Sequence, residues 1–239
     1  MNQMQFQAPP LTKINKIILI TTGALFIASE ILRAIGAFLP VGILGLSGSG
    51  LASGLIFQLL TYPFIETQLM AFLFNGLLIW FIGSDFEANW GAKVYLRFLL
   101  LTVIGVGLLY FVINSLFFFG TTVYATPLHG LSGINFALLI AYATLFPERQ
   151  LSMMMIFPMK ARTFCWILIG IESYMAVFSS LTTSWAHLMA MGISYLIIRY
   201  QSLPLMRKVL NSSWSQKKTG KKHLYVVKDD DKNPPKYWQ

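Results

Sequence analysis

Three polar side chains interrupt the oiliest parts of this sequence: Asn75 within Phe74-Asn75-Gly76, Ser132 within Gly130-Leu131-Ser132-Gly133, and His187 in the apolar run 185–198. An ionisable group in such a run is costly to bury and marks a functional site by default. A serine hydroxyl becomes a nucleophile when a neutral imidazole takes its proton near pH 7. A side-chain amide is suited to donate to the oxyanion that the attack creates. The three residue types together therefore point to acyl-bond hydrolysis inside a membrane. Each also has a plain packing account, since glycine and serine line helix contacts, asparagine bridges helices, and a buried histidine finds a partner.

Composition fixes the environment in which such chemistry would run. Of 239 residues, 56% are hydrophobic and 11% charged, and the mean hydropathy is +0.63. That is an integral membrane protein. The apolar runs are too long and too evenly oily for the alternation of barrel strands, so helices cross the bilayer. Cys165 is the one cysteine, which excludes an internal disulfide, and it reads as a small core residue.

A span takes about 20 mostly apolar residues, and six segments qualify: 17–38, 67–84, 93–118, 130–147, 161–179 and 183–200. The expected fold is thus an all-α membrane bundle of six transmembrane helices. Residues 41–60, apolar but broken by five glycines, read as a structured loop dipping into the interface between the first two. Glu30 and Arg33, spaced i, i+3 on the first helix, are placed to pair. Lys13 and Lys16 before a short apolar core mimic a secretory signal, but removing that segment would leave five spans, so an uncleaved helix is expected.

Lys and Arg accumulate in cytoplasmic loops. Here all but Arg33 fall in four groups, before span one, after span two, between spans four and five, and after span six, where Arg199 precedes nine more. Both termini are therefore expected in the cytoplasm. The chain divides into an N-terminal segment 1–16, a membrane domain 17–201 and a basic tail 202–239. The tail and the net charge of +9 read as a solvated segment able to attract anionic lipid rather than nucleic acid. Met153, Met154 and Met155 read as flexible packing, with no metal or cofactor implied, and His223 as a solvated tail residue. Glu172, alone in the fifth span, reads as a structural hydrogen-bond partner or a gate.

This topology starts spans two, four and six from the same side, so Asn75, Ser132 and His187 lie at similar depth. A helix beginning at Ser132 leaves backbone N–H groups unpaired beside the hydroxyl. His129, three residues earlier, is a further donor or a plain rim residue.

These residues, with their surroundings, resemble the rhomboid intramembrane serine proteases, in the bacterial-type six-helix form. The likeness runs over roughly 57–200. It rests on Gln58-Leu59-Leu60-Thr61-Tyr62, Phe74-Asn75, Trp80-Phe81-Ile82-Gly83 leading to Glu87 and Trp90-Gly91, Gly130-Leu131-Ser132-Gly133, Pro158-Met159-Lys160-Ala161 and Ala186-His187. It implies a Ser132 nucleophile, His187 as general base and then acid, and an oxyanion hole from Asn75 and the Ser132 backbone N–H. It also implies a water-accessible cavity, and a substrate that is a single-pass membrane protein cut in or near its transmembrane segment. A shift of the fifth helix would admit that substrate.

Four positions depart from the family pattern. Ala71 stands where a histidine usually supplies another oxyanion donor. Ala190 and Ser194 replace glycines in the sixth span, still small enough for close packing. Phe136 keeps an aromatic ring to support the histidine but lacks a hydroxyl. Two rival functions follow: a catalytically silent rhomboid-like protein that binds transmembrane clients, and a small transporter, for which inverted halves are expected and none is visible. Multi-pass insertion in a bacterial inner membrane is the expected location.

Overall fold

The computed structural model describes residues 10–37, 40–148, 150–151, 159–178 and 181–199. The expected basic tail, His223 and Met153–Met155 lie outside these residues, as does the side chain of Glu172. Among the described residues the regular secondary structure is helical but for a two-residue antiparallel ladder, β1 (Gln150–Leu151) with β2 (Met159–Lys160), and one isolated bridge.

The first helix, α1 (Lys13–Ala34), is built for lipid. Its polar side chains Asn15, Thr22 and Ser29 recur every seven residues and are buried, while Ile17, Ile20, Ile27 and Ile31 are each more than half exposed. Polar groups turned inward and apolar groups outward reverse the pattern of a helix in water. Glu30 and Arg33 pair at 3.0 Å on its outer surface, as their spacing predicts.

A second long helix runs Leu69–Trp90. It comprises α5 (Leu69–Leu78), a π-helical segment (Ile79–Gly83) and α6 (Ser84–Trp90). The Phe26 and Phe72 rings stack at 5.2 Å and tie it to α1. At its far end Glu87 accepts from the backbone N–H groups of Ile14 and Asn15 and from Asn15 Nδ2, at 3.1 to 3.3 Å. A carboxylate here satisfies unpaired donors at the start of α1 and complements its dipole. The Tyr95 hydroxyl closes the network on Asn15 Oδ1 at 2.7 Å.

Between these helices, residues 41–60 form the structured loop the glycines suggest. It holds α2 (Val41–Leu44) and α3 (Gly48–Ala52) and leads into α4 (Gln58–Thr61). Fully buried Gln58 accepts from the Ser47 N–H and donates to the Ile43 carbonyl, which satisfies backbone the short helices leave over. The loop packs on α7 (Ala92–Phe117) at Gly107, where a β-carbon would sit 2.7 Å from Leu59. Leu46 and Leu128 exchange backbone hydrogen bonds of 2.8 and 2.7 Å, pinning the loop to the segment just before Ser132.

After α8 (Thr122–Ala125) come α9 (Ser132–Leu145), α10 (Ala161–Phe178) and α11 (Leu181–Arg199). The most extensive helix contact is α9 against α11. A β-carbon on Gly133 would lie 3.9 Å from that of fully buried Ala190. Ser194 Oγ donates to the Ala137 carbonyl at 2.6 Å. The two small residues of the sixth apolar run thus preserve close approach. Cys165 is buried, its thiol 3.1 Å from the Leu139 carbonyl.

Six long or apolar helices stand where six spans are expected, yet only three of those described meet both length and apolarity for a crossing: Lys13–Ala34, Leu69–Trp90 and Ala92–Phe117. The fourth is short for a physical reason. Its apolar run begins at residue 130, but Gly130 takes φ +101° and Phe146 ends the helix ahead of Pro147. The remaining 14 residues cover about 21 Å, against a hydrocarbon core of about 30 Å.

Candidate active site

Ser132 is the first residue of α9, placed there by the left-handed turn at Gly130. Gly130 N–H donates to the Tyr62 carbonyl at 3.1 Å, which anchors the turn to the 3-10 turn Tyr62–Phe64. A β-carbon at position 130 would meet both oxygens of Glu66 at 3.4 Å. Glycine is needed here for its φ.

Asn75 lies one and a half turns into the second long helix and is 7% exposed. Its Nδ2 donates to Ser132 Oγ at 3.1 Å and to Glu66 Oε1 at 2.8 Å. Its Oδ1 accepts from Asn135 Nδ2 at 2.8 Å. The three partners define which end of the amide is which: nitrogen toward serine and glutamate, oxygen toward Asn135. Phe136, one turn after Ser132, lies against His187 with ring centroids 4.8 Å apart and planes tilted by 40°. The imidazole is close enough to Glu66 for its charge to act on that carboxyl.

The structure therefore brings Ser132 and Asn75 into hydrogen-bonding contact, and sets Phe136 against His187 where α9 packs on α11. His129 is placed differently. Its ring bonds to the Ile65 carbonyl, Nδ1 is buried without a partner, and burial holds its pKa below the ordinary imidazole value against the raising effect of that carbonyl. A neutral imidazole has one N–H, and here it is spent on Ile65. Ala71, one turn before Asn75 in α5, offers no donor.

Two members of the cluster are absent from the sequence reading. Glu66 is 3% exposed and accepts from both the Asn75 amide and the Leu131 backbone N–H, the latter at 2.9 Å. Burial pushes its carboxyl above the usual carboxylate range, against the Leu131 N–H, the Asn75 amide and the His187 charge, which pull it down. Asn135 is also 3% exposed. Both carried a signal. Glu66 is the one charged residue between positions 56 and 84, and Asn135 is a polar residue one turn into a span that starts at Ser132.

Comparison with protein families supplies a match over most of the chain. The model of a family described as eukaryotic integral membrane protein (DUF1751) aligns with residues 16–219, most of the chain. The chain belongs to this family. A comparison with curated proteins found no match. Membership in DUF1751 agrees with the long apolar helices and makes the chain an integral membrane protein. It also overturns one expectation, since a eukaryotic family does not fit a bacterial inner membrane. The charge pattern behind that location reports which side of a membrane a loop faces, and carries no information on which membrane it is.

Proposed function

We propose that this DUF1751 protein is a rhomboid-like intramembrane serine endopeptidase with a six-span core, both termini in the cytoplasm, and single-pass membrane proteins as substrates. The observation that carries the reading is the contact of the Asn75 amide with Ser132 Oγ at 3.1 Å, beside the Phe136–His187 ring pair. An amide N–H aimed at the nucleophile's oxygen is near where a carbonyl oxygen bonded to the same tetrahedral carbon comes to rest. With Asn75 donating to its lone pair, the Ser132 hydroxyl keeps its own proton free to give away.

In this mechanism His187 takes the Ser132 proton as Oγ attacks the substrate carbonyl carbon. The carbonyl π electrons move to oxygen, which is held by Asn75 Nδ2 and by backbone N–H at the start of α9. Collapse expels the amine, which takes the proton from His187, and water then releases the acyl group by the same steps in reverse order. Phe136 limits the tilt of the imidazole. The site needs no cofactor.

A second reading has its own support. Ala71 offers no donor, and Glu66 already engages one Asn75 N–H, which depletes the oxyanion hole and favours a silent rhomboid-like protein that holds transmembrane clients. Cleavage of a model transmembrane substrate in liposomes separates the two. Hydrolysis by the parent that disappears in both Ser132→Ala and His187→Ala supports the endopeptidase. Saturable substrate binding without cleavage in all three supports the silent protein.

A further inference from the structure

Three helices open a groove at the end of the fold away from Ser132. Each contributes one face at helical spacing: α9 from Ile140 to Pro147, α10 from Arg162 to Ile169, and α11 from Met191 to Tyr195. Seven residues of helix advance about 10 Å, so the groove runs about two turns along the bundle. Its volume is about 640 Å³, within the range of sites that bury a small ligand. Gly192 keeps one wall flat. A β-carbon there would meet no atom within 4 Å, so no neighbouring side chain requires a glycine. Glycine weakens a helix interior, and here it gains no close contact in return.

The mouth of the groove is cationic. Arg162 lines it in the first turn of α10, where the positive end of the helix dipole adds to its charge. Arg199 lies one turn beyond Tyr195 on the same face of α11. Both arginines are exposed. Glu148 is near enough to feel the charge of Arg162, but it pairs with Lys160 at 2.7 Å, and no described carboxylate pairs with either arginine. Trp166 and Tyr195, both exposed, stand one turn inside the two arginines. Such rings settle at head-group level in a membrane, which sets the arginines at the depth of lipid phosphates.

We propose that this groove binds an anionic phospholipid, one acyl chain lying between α10 and α11 and the phosphate held by Arg162 and Arg199. Guanidinium groups match phosphate oxygens in bidentate pairs, and basic pockets between membrane helices suit anionic head groups. A zwitterionic lipid also carries a phosphate, but its ammonium group would meet two guanidinium charges. The lipid belongs to the leaflet on the side assigned above to both termini. Ser132 starts α9 at the opposite end, so the lipid site stands whether or not the chain cleaves peptide bonds.

The test is photolabelling of the full chain in detergent micelles with a phosphatidylglycerol that carries a photoreactive group midway along one acyl chain, the adducts being mapped by mass spectrometry. Adducts should fall within 140–147, 162–169 and 191–195, and unlabelled phosphatidylglycerol should displace the probe where phosphatidylcholine of the same chain length does not. Arg162→Gln combined with Arg199→Gln changes only exposed side chains and should weaken binding at least about tenfold, the worth of one charge-assisted hydrogen bond. Gly192→Leu fills the open wall and should abolish labelling of the groove while the lipid-free melting temperature holds or rises. Equal displacement by the two lipids, undiminished labelling in the double arginine variant, or adducts confined to the basic tail beyond residue 202 would overturn the proposal. Displacement by a model transmembrane peptide in place of phosphatidylglycerol would assign the groove to a protein partner and overturn it equally.

Discussion

Asn135 donates to Asn75 Oδ1 at 2.8 Å, and that bond, with the Glu66 carboxyl that accepts from Nδ2 at 2.8 Å, fixes which end of the Asn75 amide faces Ser132. Without it the amide loses one of the contacts that keep its oxygen turned from the serine, where it would repel an oxyanion. Asn135→Ala should therefore slow substrate hydrolysis about tenfold, the equivalent of one hydrogen bond of about 1.4 kcal/mol. The variant keeps Ser132, His187 and Asn75, so unchanged turnover in a folded Asn135→Ala would show that Asn75 is held by other means.

The turn before Ser132 gives a second expectation. Gly130 sits at φ +101° with both Glu66 oxygens 3.4 Å from the place a β-carbon would take. Gly130→Ala adds left-handed strain of about 1–2 kcal/mol to the turn that places Ser132. Thermal unfolding in detergent should shift down while hydrolysis falls more steeply than the stability loss explains. Wild-type rates in this variant would uncouple the turn from the site.

Helix packing gives a third. α9 and α11 meet through Gly133, Ala190 and Ser194, with Ser194 Oγ bonded to the Ala137 carbonyl at 2.6 Å. Ala190→Leu overfills this seam and should cost about 1–3 kcal/mol, whereas Ser194→Ala should cost about 0.6 kcal/mol, an ordinary value for a hydrogen bond between membrane helices. Equal melting temperatures for the parent and Ala190→Leu would mean that the seam is loose.

Glu66 also sets a pH dependence of stability. Its pKa is raised in the folded chain, chiefly by burial, so the folded state keeps a proton that the unfolded chain releases. The associated stability is fully present below the ordinary carboxylate pKa and is lost as pH rises through the raised value. The parent should melt progressively lower across that interval, and Glu66→Gln should change less. A parent whose melting point rises there would reverse the sign and imply an ionised Glu66.

What the residues alone made legible divides by the kind of information each carries. Long apolar runs located every major helix with ends off by up to six residues, because lipid imposes length and composition directly. The inward spacing of Asn15, Thr22 and Ser29 was equally open to inspection. Helix ends were less so, since residues 130 and 131 are as apolar as a helix needs while Gly130 turns the chain. Ser132, Asn75 and His187 stood out as polar residues in oil. Glu66 did not, because it falls just before a span, where an acid usually reaches water; only the fold reveals that Leu131 and Asn75 close over it. Asn135 was hidden by its neighbour, one turn from a more conspicuous serine.

The most direct test of the account is covalent labelling of the full chain in liposomes with an activity-based fluorophosphonate, followed by mass spectrometry to locate the adduct. The account predicts a single phosphonylated residue, Ser132, with labelling abolished in Ser132→Ala and strongly slowed in His187→Ala. An unlabelled parent, or an adduct that persists in Ser132→Ala, would contradict it.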